Sequence, residues 1–196
     1  MNGMNMAAVY VVQTLGSLYL LIVLLRFILQ LVRADFYNPL SQFIVRATQP
    51  LLKPMRRVIP GFGGVDVASL VLAVLVQLVL LALIIKLMGY ALPPILQLLV
   101  WSLVGITALF LKIFFFALII SVILSWVAPH SHNPAAILVI QICEPVLAPF
   151  RRFLPSMGGL DLSPIFAFIA LNLLDMLLIT NLAIATGMPK GLTLAL

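Results

Sequence analysis

Two stretches of the chain carry the same punctuation. Residues 38–66 read NPLSQFIVRATQPLLKPMRRVIPGFGGVD, and residues 133–161 read NPAAILVIQICEPVLAPFRRFLPSMGGLD. Aligned without a gap at an offset of 95, they share 11 identities in 29 positions. The matches are Asn38/Asn133, Pro39/Pro134, Pro50/Pro145, Leu52/Leu147, Pro54/Pro149, Arg56/Arg151, Arg57/Arg152, Pro60/Pro155, Gly63/Gly158, Gly64/Gly159 and Asp66/Asp161. Random drift in an apolar chain produces Leu and Val matches, whereas these are Pro, Gly and charged residues. The chain is therefore an internal duplication.

Each copy lies between two long apolar runs. Residues 6–25 carry no charge, and the pattern continues past Arg26 to about residue 32. Residues 67–85 are uncharged, residues 95–128 are interrupted only by Lys112, and residues 162–186 only by Asp175. Each run reaches the ~20 residues a helix needs to cross ~30 Å of hydrocarbon. Alternation with period two, the mark of a membrane β-barrel, is absent. Composition agrees: 64% of the 196 residues are hydrophobic and 8% charged, far from the ~25% charged of a soluble domain. That balance excludes a disordered chain and most soluble enzymes. The first run reads as a retained span, because no basic residue precedes it and Arg26, Arg33 and Asp35 stand where a signal peptide would be cleaved. Splitting the third run at Lys112 would put an unsatisfied turn inside the hydrocarbon. It reads as one span, residues 101–128, with a lead-in along the interface after Pro93 and Pro94.

The expected fold is an all-α integral membrane protein with four transmembrane helices. Residues 1–94 form a first repeat, with spans at about 6–32 and 66–88. Residues 95–196 form a second, with spans at about 101–128 and 162–186. Two spans per repeat make the repeats parallel. The connectors between paired spans carry Arg33, Arg46, Lys53, Arg56, Arg57, Arg151 and Arg152, so both are expected in the cytoplasm and both termini outside. The net charge of +6 is attributed to this bias rather than to nucleic acid.

Within each connector, Asn38 and Asn133 read as helix caps followed by proline at the first helical position. Leu40, Phe43, Ile44 and Ala47 recur at helical spacing opposite Ser41, Gln42 and Arg46. A short amphipathic helix in the headgroup plane is expected, ending before Pro50. Pro50, Pro54 and Pro60 then predict a bent, non-helical connector centred on the arginine pair. Asp66 and Asp161 are placed to cap the next spans. Arg56, Arg57, Arg151 and Arg152 are candidates for anionic lipid headgroups or the acidic face of a partner, against a role in topology alone.

Polar groups inside the membrane are functional candidates. These are Arg26, Gln77, Lys112, Asn172 and Asp175. Lys112 and Asp175 fall at similar depth, so they are expected to pair and, with Asn172 and Gln77, to face the bundle interior. Snorkelling of Lys112 is the alternative. Arg26 is shallower and is expected to snorkel or to contact Asp66. His130 and His132 are too few for a structural metal site, and Cys143 has nothing beside it to activate a thiol. No phosphate loop, haem signature or catalytic constellation is present, so neither enzymatic activity nor a cofactor is expected.

The duplicated N-P…P-L-x-x-P-x-R-R-x-x-P-x-x-G-G-x-D pattern resembles the YggT family of small bacterial membrane proteins, also called YlmG. The stretch LRFILQLVRADFYNP at residues 25–39 is similar to the Gram-negative version. The resemblance implies a bacterial inner-membrane location and links to osmotic stress, to division-associated gene neighbourhoods and, in plastid relatives, to cytochrome assembly. It brings no enzymatic activity. Ser121 stands where the first copy has Arg26, so an arginine-dependent role belongs to one repeat. Two functions are then open. One is a membrane scaffold or assembly factor docking lipids, a membrane-protein partner or a second copy. The alternative is a potassium- or proton-linked transport protein or accessory acting as an oligomer.

Overall fold

The structure is a computed structural model describing residues 3–128, 131–153 and 161–189. It is all-helical among those residues, apart from one isolated bridge between Phe62 and Val65 in the first glycine turn. In chain order the helices are α1 (Gly3–Leu31), α2 (Pro39–Met55), α3 (Val67–Leu87), α4 (Ile95–Val127), α5 (Pro134–Phe153), α6 (Ser163–Leu174) and α7 (Asn181–Ala185). A π-helical turn, Asp175–Thr180, joins α6 to α7 without a break. Five helices are long and apolar enough to cross a membrane: α1, α3, α4, α5 and the composite Ser163–Ala185, with α5 the least apolar.

The apolar runs become helices because only a helix satisfies its backbone internally in lipid. The third run is one unbroken helix of 33 residues, ~50 Å long at ~1.5 Å per residue. It starts at Ile95, directly after Pro94. The lead-in is thus the first turns of the same helix, not a separate interfacial segment.

The connectors correct the reading of the prolines. α2 runs through Pro50 and Pro54, and α5 through Pro145 and Pro149. A spacing of four puts both prolines, and the carbonyls they leave unbonded, on one line of the helix. That line is exposed in both copies. The opposite line of α2, Ser41, Ile44, Thr48 and Leu52, is buried, and α5 buries Ala136, Leu138, Ile142, Cys143 and Leu147. Burial of the intact face outweighs two missing hydrogen bonds that face outward. Residues 154–160, including Pro155, Gly158 and Gly159, lie outside the described residues, as does His130.

Two apolar cores stack along the bundle. The connector end is closed by Leu20, Leu24, Ile28, Leu72, Leu118 and Leu147. The far end is closed by Val9, Leu81, Ile84, Trp101, Val104 and Ile179. Trp101 Nε1 donates to the Thr186 carbonyl at 3.1 Å, tying the start of α4 to the end of α7. α1 approaches α3 at Gly16, where a Cβ would collide with Leu80. α3 approaches α4 at Gly105, where a Cβ would lie 2.5 Å from Gln77 Nε2. Small residues at such crossings allow helices to close in lipid.

Candidate functional site

All four predicted cap residues engage backbone N–H groups, Asp161 from one residue before Leu162, which holds the cap position of α6. Asn38 accepts from Leu40 N at 2.9 Å, Asn133 from Ala135 N at 2.9 Å, Asp66 from Ser69 N at 3.3 Å and Asp161 from Ser163 N at 2.9 Å. Asn38 also reaches the other repeat, its Nδ2 donating to the Pro134 carbonyl at 2.6 Å.

Both aspartates have a second duty. Arg56, just past the end of α2, forms an ion pair with Asp66, and Arg151 Nε donates to Asp161 at 2.9 Å. In each repeat the first arginine of the pair is clasped to the aspartate ten residues on. The clasp ties the end of the connector helix to the start of the next span. The copies differ in surroundings. Asp66 is 3% exposed and Asp161 43%. Arg151 is further held by Glu144 at 2.8 Å, where the first repeat has Gln49. Burial pushes the Asp66 carboxyl up, but the Ser69 hydroxyl, the Arg56 guanidinium and the Ser69 N–H outweigh it and hold it below the usual carboxylate range. Asp161 is likewise lowered: burial opposes, and Ser163 and Arg151 prevail. The second arginines, Arg57 and Arg152, are exposed and make no ion pair among the described residues.

Arg26 does not snorkel. It is 8% exposed, with its guanidinium carbon 5.2 Å from the Phe36 ring centre. Arg33, in the left-handed region at φ 54°, turns the chain at the end of α1 and brings Phe36 back over it. Arg56 and Asp66 are the charged groups nearest in effect, yet no ion pair forms, and Nε and Nη1 of Arg26 lack a hydrogen-bond partner among the described residues.

The other intramembrane polar residues separate into two places. Gln77 is fully buried between α3 and α4, with neither carboxamide atom hydrogen-bonded. Lys112, Asn172 and Asp175 line one cleft of about 180 Å³ between α4 and α6, together with Leu111, Phe115 and Leu171. The expected Lys112–Asp175 pair does not form: no N···O contact within 4.0 Å joins them. Phe115 of α4, one turn from Lys112, meets Phe168 of α6, one turn from Asn172, edge-on with ring centres 5.3 Å apart. Asn172 is exposed and donates to its own helix at Phe168 O, so it does not face the interior as expected. Asp175 opens the π turn, a feature the hydropathy pattern does not signal.

Position 95 residues on from Thr48 is Cys143, and both are fully buried. The repeat could have shown these as paired core positions. Among the described residues no three His, Cys, Asp or Glu side chains gather as a metal site.

The family model CCB3/YggT matches residues 5–88 and again 100–182. The chain belongs to that family. The two matches begin 95 residues apart, the same offset as the clasps. The chain is 73% identical to an uncharacterized Pseudomonas aeruginosa protein over the whole of both chains. It is 36% identical to the uncharacterized Escherichia coli protein YggT of strain K12, over 85% of this chain and 86% of that one. A 66-residue stretch is 44% identical to the chloroplastic YlmG homolog protein 2 of Arabidopsis thaliana, covering 32% of this chain and 25% of the relative. No solved structure matches. In this member of the YggT family, the duplicated motif thus resolves into an arginine clasped to an aspartate at the start of the next span and a second arginine without an ion pair among the described residues.

Proposed function

We propose that the protein is a non-enzymatic scaffold or assembly factor of the bacterial inner membrane, holding acidic lipid headgroups on two cytoplasmic connectors. The observation that carries this is the division of labour within each Arg-Arg pair. Arg56 and Arg151 are clasped to aspartates, while Arg57 and Arg152 stay exposed at the same place in each repeat. Each such cation near an anionic surface contributes ~1 kcal/mol, so the two together correspond to roughly 30-fold in retention. Native mass spectrometry is expected to show Arg57→Gln/Arg152→Gln losing bound phosphatidylglycerol or cardiolipin. Arg56→Gln/Arg151→Gln is expected to lower the unfolding temperature while keeping more lipid. Equal retention in wild type and the Arg57/Arg152 variant would end the lipid reading.

The proposal takes four spans, in repeats of residues 1–94 and 95–196. α5 is the second copy of α2, which is too polar to cross, and by that equivalence α5 lies at the interface. Both termini are then periplasmic. A topology reporter fused after Leu196 is expected to be active only in the periplasm, and one fused after Arg57 only in the cytoplasm. A cytoplasmic C-terminus would mean that α5 crosses as a fifth span. The transport alternative is less supported, because Lys112, Asn172 and Asp175 lie in a lateral cleft away from Gln77 rather than along one path. Potassium or proton flux in proteoliposomes that disappears with Asp175→Asn would reverse that preference.

A further inference from the structure

The environment of Arg26 recurs in the second repeat without Arg26. At the offset of 95, Arg26 corresponds to Ser121 and Phe36 to Ser131, while Arg56 corresponds to Arg151 and Asp66 to Asp161. In the first repeat the guanidinium is buried beneath the Phe36 ring, which itself stays partly exposed. In the second repeat two serines stand in their places. The structure has there a cavity of about 220 Å³, lined among the described residues by Ser121, Ser125, Ser131, Glu144 and Arg151 over an apolar floor.

Charge changes sign with the side chains. Around Arg26 the first repeat sets two arginines, Arg26 and Arg56, against one carboxylate, Asp66. Around the cavity the second repeat sets one arginine, Arg151, against two carboxylates, Glu144 and Asp161. The second site is thus short of the cation that the first site supplies from α1. Arg151 aside, its polar groups can accept hydrogen bonds. Arg151 engages Glu144 Oε2, leaving Oε1 for another donor. The Ser125 hydroxyl spends its proton on the Val122 carbonyl at 2.7 Å, and the Ser131 oxygen already accepts from Asn133 N at 3.2 Å. A free carboxylate oxygen beside hydroxyl oxygens, with Arg151 already engaged by Glu144 and Asp161, suits N–H donors on a second positive group.

We propose that this cavity binds an organic cation bearing N–H donors, a primary ammonium or a guanidinium, in the place that Arg26 and Phe36 occupy in the first repeat. The cation is either a free small molecule or the amine of a lipid headgroup, since the cavity opens where the end of α4 meets the connector helix α5. An anion is disfavoured by the surplus carboxylate. The proposal does not rest on the lipid reading of Arg57 and Arg152, which concerns the opposite charge on other residues.

The test uses the full chain purified in detergent and titrated calorimetrically with agmatine, with tetramethylammonium and potassium as cations lacking N–H donors. Phosphatidylethanolamine retention from nanodiscs is followed by native mass spectrometry. Two variants are compared with wild type. Ser121→Arg/Ser131→Phe transplants the first repeat's pair into the cavity, and Glu144→Gln removes the acceptor charge while keeping the side chain's size, its unfolding temperature being read alongside. Wild type is expected to bind agmatine at least tenfold more tightly than either control cation, and both variants to lose at least tenfold. If agmatine fails but phosphatidylethanolamine is retained and both variants release it, the source is the lipid headgroup and the proposal stands. Binding neither probe, binding tetramethylammonium equally well, or unchanged binding in Glu144→Gln would each overturn it.

Discussion

Replacing Asp66 with alanine is expected to destabilise the protein by about 3 kcal/mol, against about 1 kcal/mol for Asp161→Ala. Two losses add at Asp66. The α3 N-terminus loses its cap, which costs ~1 kcal/mol. Arg56 then loses its carboxylate partner. Breaking a fully buried pair costs ~3–5 kcal/mol, discounted here because Arg56 is 40% exposed. At Asp161 both partners are more than two-fifths exposed, and the pair is screened. Denaturant unfolding of the detergent-solubilised protein measures both. Equal costs would show that burial does not set the strength of the clasp. The same carboxylates predict an acid limb. Both are held below their ordinary value when folded, so their contribution is complete above the unfolded carboxyl pKa of ~3.9. It is lost as the pH falls through the lowered folded values. Asp66→Asn should be less sensitive to pH in that window than wild type.

The opposite sign is expected at Gln77. Its carboxamide is fully buried with no hydrogen-bond partner, and a buried polar group left unpaired costs ~1–3 kcal/mol. Gln77→Leu places an apolar side chain of similar size against α4 and removes both polar atoms. It should raise stability by about 1–2 kcal/mol in the same unfolding assay. The gap at Gly105 exists to admit this side chain: a Cβ there would lie 2.5 Å from Gln77 Nε2. Gly105→Ala should therefore destabilise the wild type and be better tolerated beside Gln77→Leu, a coupling that a double-mutant cycle reads directly. A destabilised Gln77→Leu would mean that the carboxamide is satisfied in the membrane by a group from outside the chain. That would turn Gln77 from a packing defect into a contact residue.

The helices themselves and their caps were legible without coordinates, because both depend on short-range physics. Apolar runs of span length admit only helices in lipid, and a cap acts over two or three residues, as Asn38 on Leu40 N and Asp66 on Ser69 N show. The duplication was legible because Pro, Gly and Arg at fixed spacing do not arise from apolar drift. The prolines of α2 and α5 were misread as breakers. Whether two lost hydrogen bonds end a helix depends on which face they fall on and what the other face buries, and only packing decides that. Pairing across helices was equally out of reach. Depth counted along the chain put Lys112 and Asp175 level, but it carries no information on rotation about each helix or on the π turn that Asp175 opens. Identical Arg-Arg pairs also concealed their division of labour. The first arginine meets an aspartate ten residues away only once the connector helix and the next span have set their angle. By itself the sequence determined membrane helices, their caps and a twofold repeat, since these follow from local chemistry and periodicity. The tertiary structure alone decided that one repeat buries an arginine where the other opens a cavity, because that difference lies in which side chains fill a space that distant segments enclose.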